Sequence, residues 1–262
     1  MIGWSINLFR LFGIQLAIHV SFLLLLAYYA WIGWQEGRFI GMVWSVGFIT
    51  LFFACVVLHE FGHSLTARRY GVRVPRILLL PIGGMAEMDQ IPRRPSAELL
   101  ITIAGPAVNF VIAAMVIPFV WREMLGLDPF ESYSTTDTLA HLGWANLVMG
   151  TFNLLPVFPM DGGRIFRAVL ACYLPYLRAT WWAVTVGRTL ALVFAGLALF
   201  YFDNVMAAVL FVFIFMAAGA EYRLLLRREQ EAAYWAEVAR RVAVVPSPKE
   251  CPEPPLLQHG PN

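Results

Sequence analysis

Apolar residues fall into long runs separated by short polar or glycine- and proline-rich breaks, the pattern of helices that cross a lipid bilayer. The first run predicts a span over about 14–34, and the turn Gln35-Glu36-Gly37-Arg38 separates it from a second over about 39–68. Four more spans are predicted over about 97–120, 138–155, 181–202 and 205–220, with Asp203-Asn204 as the turn between the last two. Between the second and third runs the pattern changes. Pro75, Pro81, Gly83 and Gly84 forbid a continuous helix, and Ile77 to Leu80 form a short β-favouring run, so this stretch predicts a hairpin or re-entrant loop. Residues 1–13 read as an amphipathic lead-in at the membrane surface and residues 164–174 as an amphipathic surface helix. The expected fold class is an all-α polytopic membrane protein: six transmembrane helices, with a short membrane-associated β-hairpin or re-entrant segment after the second. Residues 1–222 form the membrane domain, and residues 223–262 a cytoplasmic charged helix with a Pro-rich tail.

Composition agrees with the pattern. The 262 residues are 60% hydrophobic and 14% charged, with a mean hydropathy of +0.67, whereas soluble domains carry about 25% charged residues. Nine Trp suit rings at the headgroup level. Cys55, Cys172 and Cys251 have no paired spacing, so neither a disulfide framework nor a cysteine zinc site is suggested. The first apolar run is followed by no small-residue cleavage site and is expected to be retained as a span. A net charge of +2 says little, but its distribution sets an orientation. If the spans alternate, Arg68, Arg69, Arg73, Arg76, Arg93, Arg94, Arg164, Arg167, Arg178, Arg223, Arg227 and Arg228 share one side, and Arg38 and Arg122 the other. The positive-inside rule then makes both termini cytoplasmic, together with the end of the second span. Arg188, two turns into the fifth span, is expected to snorkel toward that interface.

The chemistry lies in that second span. His59, Glu60 and His63 form an H-E-x-x-H pattern. Positions four apart share a helix face, so the two imidazoles can grip one metal ion. Glu60 stands about 100° round the helix, able to reach a water on that metal as a general base. Such a pattern arises by chance in soluble helices, but two imidazoles and a carboxylate are costly in hydrocarbon and seldom lie there without a task. A third ligand is needed, and Glu87, Asp89 and Asp161 lie within reach of the same leaflet. Asp161 is preferred because Pro156 and Pro159 unwind the fourth span and Gly162-Gly163 free its backbone. Alternatively, Asp161 caps the helix that follows. His19 reads as a packing polar group, and His141, at the opposite end of the fourth span, is out of range of the metal. Asn146 reads as an interhelical hydrogen-bonding group, Asn109 with Gly105-Pro106 as a close-packing device, and Asn153 as a packing group or a substrate contact.

HEFGH, IAGPAVNF (103–110) and FNLLPVFPMDGGR (152–164), in this order with spans between, resemble the site-2 protease family of intramembrane zinc metalloproteases. IHVSFLLLL in the first span resembles that family's opening helix, and the similarity covers about residues 10–222. The resemblance implies that one zinc ion is held by His59, His63 and Asp161, with Glu60 as the base. It implies that LLLPIGGMAEM is the family's membrane-associated β-segment, placing Leu79, Gly83 and Gly84 with Asn153 on the substrate side. Relatives of the PMDGGR form often carry cystathionine-β-synthase-type domains; the roughly forty residues after the last span are too few for even one. The expected partners are the lipid bilayer and a transmembrane protein substrate, such as an anti-sigma factor or membrane-tethered regulator, and no nucleic acid. Ile77 to Leu80 is expected to offer a free strand edge to the unwound substrate. The competing reading is a non-proteolytic membrane metal-binding scaffold or carrier.

Overall fold

The computed structural model describes residues 4–89, 93–125 and 134–243, so the tail expected over 244–262 lies outside the described residues. Its elements follow in the order β1 (Ser5–Leu11), β2 (Ile14–His19), α1 (Val20–Arg69), β3 (Arg76–Leu80), β4 (Gly83–Glu87), α2 (Pro95–Met124), α3 (Thr135–Asn153), α4 (Asp161–Ala171), α5 (Tyr176–Phe200) and α6 (Val205–Ala243). α1, α2, α5 and α6 are long and apolar enough to cross a membrane. α3, with 19 residues, carries Asp137, His141, Asn146 and Asn153 and is not among them. Large apolar side chains such as Phe119, Phe200 and Met206 stand exposed on these helices, as lipid-facing surfaces require. The chain is a membrane protein.

α1 is not one rod. Helical geometry fails at Gly37 and Arg38, where Arg38 takes a φ of 54°. The rings of Phe22 and Phe53 meet edge to face at 4.7 Å, although 31 residues of straight helix would separate them by about 46 Å. Residues 20–36 and 39–69 are therefore two antiparallel arms. Gly33 lets them touch, since a Cβ there would fall 2.5 Å from Ser45 Oγ. The expected break after the first apolar run is thus present.

The expectation of an all-α fold needs correcting. β1 to β4 form one four-stranded sheet in the order β1-β2-β3-β4, antiparallel at both ends and parallel in the middle, where Leu16 pairs with Ile77. The hairpin after the second arm is β3–β4. Residues 5–11, within the expected amphipathic lead-in, form a strand, and the first helix begins at Val20 rather than Ile14. The physical reason is local. Phe12 and Gly13 take φ of 50° and 78°, a reversal that folds β1 onto β2. His19 then closes the strand and caps α1, its Nδ1 accepting from Ser21 N–H at 3.2 Å. A second correction concerns the strand edge. β3 is paired on both sides, and Leu79 is buried in the core with Ile14, Leu16, Phe53 and Val56. The free edge beside the second arm of α1 belongs to β4.

The connection from α3 to α4 is tight. α3 ends at Asn153, ahead of Pro156, and a Cβ at Gly163 would fall 2.7 Å from Phe158 N. Val157 and Met160 pack on Ala191 and Ile214, and Phe158 on Ala183, Val184 and Ala218, so α5 and α6 clamp this connection. α5 offers a stripe of small buried residues for that contact: Ala183, Gly187, Ala191, Ala195 and Ala198.

Candidate metal centre

His59 and His63 lie on one face of the second arm of α1, both buried. α2 passes close behind them. A Cβ at Gly62 would fall 2.5 Å from the Ala104 carbonyl oxygen, and one at Gly105 would collide with the His63 ring. Gly105 is therefore a clearance for a functional ring, more specific than the packing device its sequence context suggests.

The hydrogen bonds fix both tautomers. His63 Nδ1 lies 2.8 Å from the Ile101 carbonyl oxygen, which only accepts, so Nδ1 carries the proton and Nε2 a lone pair. For His59 the direction comes through a relay. Asn146 Nδ2 donates to the Leu142 carbonyl at 2.9 Å, leaving its Oδ1 to accept from Asn109 Nδ2 at 2.9 Å. Asn109 Oδ1 is then the acceptor for His59 Nδ1–H at 2.5 Å. Both asparagines are fully buried, and the interhelical role expected for Asn146 is present.

Asp161 completes the group. It is the first residue of α4 but caps nothing, because the cap position is Met160. Its Oδ2 lies 3.3 Å from His59 Nε2 and 3.2 Å from His63 Nε2, and the two Nε2 atoms are 3.0 Å apart. Three lone-pair donors thus converge, and Oδ2 is buried without a hydrogen-bond partner. Without a cation between them this arrangement is repulsive. Tetrahedral zinc with bonds of about 2.0–2.1 Å holds its donors about 3.3 Å apart, close to all three edges. His59, His63 and Asp161 are positioned to bind one metal ion, and the donor set fits zinc.

Glu60 is half-buried beside them. A Cβ at Gly84 would fall 2.6 Å from Glu60 Cγ and 3.2 Å from its Oε1, so the glycine of β4 makes room for the carboxylate. The other predicted residues lie apart. Glu87 accepts from Arg76 Nε at 3.2 Å, and Asp89 follows β4 in the loop. His141 Nδ1 donates to the Asp137 carbonyl at 2.8 Å. Gly83 opens β4 with a φ of 137°, Leu79 lies inside the sheet core, and Asn153 is the half-buried last residue of α3.

One structural feature has no counterpart in the sequence reading. Arg167 of α4 donates from Nε to Glu98 of α2 at 2.8 Å and from Nη1 to Glu221 of α6 at 3.2 Å. Its guanidinium also stacks 5.1 Å from the Phe158 ring centroid. Burial alone would lower its pKa, but the Glu98 carboxylate outweighs this and holds it above the ordinary value. This pair fastens α4, and with it Asp161, to α2.

The model of peptidase family M50 matches residues 47–127 and 124–195. A zinc metalloprotease of Methanocaldococcus jannaschii is 39% identical over 222 residues, 85% of this chain and 62% of that protein. Stage IV sporulation protein FB of Bacillus subtilis is 28% identical over 170 residues, 64% of this chain and 56% of its own length. The solved site-2 protease from Methanocaldococcus jannaschii is 38% identical with a TM-score of 0.57, covering 84% of this chain and 95% of that one. The chain spans less than two thirds of those two curated relatives. With the matched region holding His59, Glu60, His63 and Asp161, this chain belongs to peptidase family M50.

Proposed function

We propose that the chain is an intramembrane zinc metalloprotease that hydrolyses peptide bonds within or near transmembrane segments of membrane-protein substrates. The observation that carries this is the convergence at zinc spacing of two imidazoles from an apolar helix with the Asp161 carboxylate of α4, and a carboxylate base beside them. When bound, zinc polarises the peptide carbonyl and makes water acidic enough to be deprotonated near neutral pH. His59, His63 and Asp161 hold the ion, and Asn109 and the Ile101 carbonyl keep each Nε2 unprotonated. Glu60 takes the proton of the attacking water and returns it to the leaving amine.

A transmembrane helix hides its carbonyls in its own hydrogen bonds and must unwind before attack. The outer edge of β4, next to Glu60 through Gly84, is where the unwound segment adds as a further strand. Gly83 lies on that edge, Asn153 serves as a polar contact, and Leu79 supports the strand from the core. The six spans are the two arms of α1 together with α2, α3, α5 and α6, and α4 is too short to be one. Both termini and the histidine end of the second arm are cytoplasmic by the arginine distribution. Residues 1–222 constitute the protease and 223–262 a cytoplasmic extension. The substrate class is a membrane-tethered regulator, such as an anti-sigma factor.

Purified protein carrying Glu60→Gln tests the reading. It should keep one zinc per chain and lose cleavage of a transmembrane test substrate. Cleavage at the parent rate would refute the protease assignment, and transport retained in the variant would favour a carrier.

A further inference from the structure

Apart from the metal centre, one groove of about 290 Å³ lies between α5 and α6 and shares no residue with it. Trp181, Arg188, Phe215, Gly219, Tyr222 and Arg223 line it. Arg188 reaches from α5 across to Gly219 of α6. Its guanidinium packs over the Phe215 ring, with Cζ 4.0 Å from the centroid, and its Nε is buried with no hydrogen-bond partner. Arg223 turns back along its own helix in the same direction. A Cβ at Gly219 would fall 3.2 Å from Arg223 Nη1 and 3.8 Å from both Cζ and Nη1 of Arg188. Two guanidinium groups therefore converge on one point, and among the described residues neither has an ion pair. Arg167 differs, carrying two carboxylate partners.

Depth sharpens the contrast. Trp181 and Tyr201 are separated by 20 residues of helix, about 30 Å, the thickness of a bilayer core, so the tryptophan marks one interface. Arg188 lies seven residues inward, roughly 10 Å along the axis. The two like charges repel, and the half-buried Arg188 is poorly hydrated at that depth, unless an anion joins it to the exposed Arg223. The groove opens between two apolar helices, and Trp181 and Leu192 on its flank are exposed. The anions at hand on such a surface are phospholipid phosphates, which guanidinium groups bind through paired charge-assisted hydrogen bonds.

From this geometry we propose that Arg188 and Arg223 form a binding site for the phosphate headgroup of an anionic phospholipid of the arginine-rich leaflet. Gly219 leaves the space the phosphate fills, and Phe215 holds Arg188 in place from below. The bound lipid bridges α5 and α6, the helices that clamp the connection leading to Asp161.

The test is native mass spectrometry of the delipidated full chain, offered phosphatidylglycerol or phosphatidylcholine in nonionic detergent. The parent is expected to retain one phosphatidylglycerol under activation that strips phosphatidylcholine. Arg188→Gln with Arg223→Gln should weaken that retention about tenfold or more, whereas Arg227→Gln with Arg228→Gln should leave it unchanged. Equal retention of the two lipids by the parent, or of phosphatidylglycerol by parent and Arg188/Arg223 variant, overturns the proposal. So does displacement of the lipid by millimolar inorganic phosphate, which would mark a site for a soluble anion. If the glutamine variant fails to fold, judged by lost metal, Arg188→Lys with Arg223→Lys decides. It should still prefer phosphatidylglycerol, and loss of that preference in a folded variant refutes the site.

Discussion

Replacing Asn109 by alanine attacks the metal centre without touching a ligand. Asn109 is fully buried, accepts from His59 Nδ1–H at 2.5 Å and donates to Asn146 Oδ1 at 2.9 Å. Alanine leaves the buried imidazole N–H without its acceptor, a cost of about 1–3 kcal/mol. It also releases the tautomer, so that Nε2 no longer presents its lone pair by default. Loss of an outer partner of a metal-bound histidine lowers metal affinity by about 10–100-fold, or ~1.4–2.7 kcal/mol, which agrees with the first figure. Zinc affinity is measured by competition with a chromophoric chelator on detergent-purified protein. Asn109→Asp, which keeps an oxygen for His59, should hold zinc more tightly than Asn109→Ala. A folded alanine variant whose affinity lies within about twofold of the parent would refute the reasoning, because the relay would then carry no energy.

Three further perturbations probe separate parts of the site. Gly105→Ala places a methyl group where the His63 ring lies, so it should cost about 1–3 kcal/mol in thermal unfolding and reduce zinc content well below one per chain; full zinc occupancy would contradict the packing. Gly84→Val pushes on Glu60 rather than on the histidines, so cleavage should fall by tenfold or more with zinc content unchanged, a fall of about 1.4 kcal/mol in transition-state stabilisation; a parallel loss of zinc would mean that the strand supports the ligands instead. Arg167→Met strands the buried Glu98 carboxylate and should destabilise by about 3–5 kcal/mol, and Glu98→Gln in the same chain should restore much of the loss. Equal melting temperatures for the single and double variants would deny the coupling.

The metal ligands were legible because their spacing is local. Two histidines four apart define a helix face, and the prolines and glycines around Asp161 mark a backbone released from its helix. The boundary between the two arms of α1 was legible for the same reason, since Gln35 to Arg38 interrupt the apolar run. β1 and β2 were not. Ile14 to His19 are mostly apolar and lead straight into the apolar stretch from Val20, so hydropathy merges strand and helix; the reversal at Phe12-Gly13 marks where β1 folds onto β2, and the His19 cap marks where α1 begins. A parallel pairing such as Leu16 with Ile77 leaves no local trace, which is why β3 read as an edge when β4 is one. Asn109 carried a faint signal, a polar residue in an apolar span, but that signal fits helix packing equally well until the Nδ1 of His59 is seen beside it. Arg167 and Glu98 are 69 residues apart, and Arg167 looks like one more cytoplasmic arginine in a charge count.

The account rests on an ion between His59, His63 and Asp161, and X-ray absorption at the zinc edge addresses it most directly. The full-length protein should show one zinc per chain in a shell of nitrogen and oxygen near 2.0–2.1 Å, with the outer scattering of two imidazoles. Asp161→Ala should remove one light neighbour and weaken binding. A sulfur shell near 2.3 Å, or zinc whose spectrum and stoichiometry are unchanged in Asp161→Ala, would contradict it.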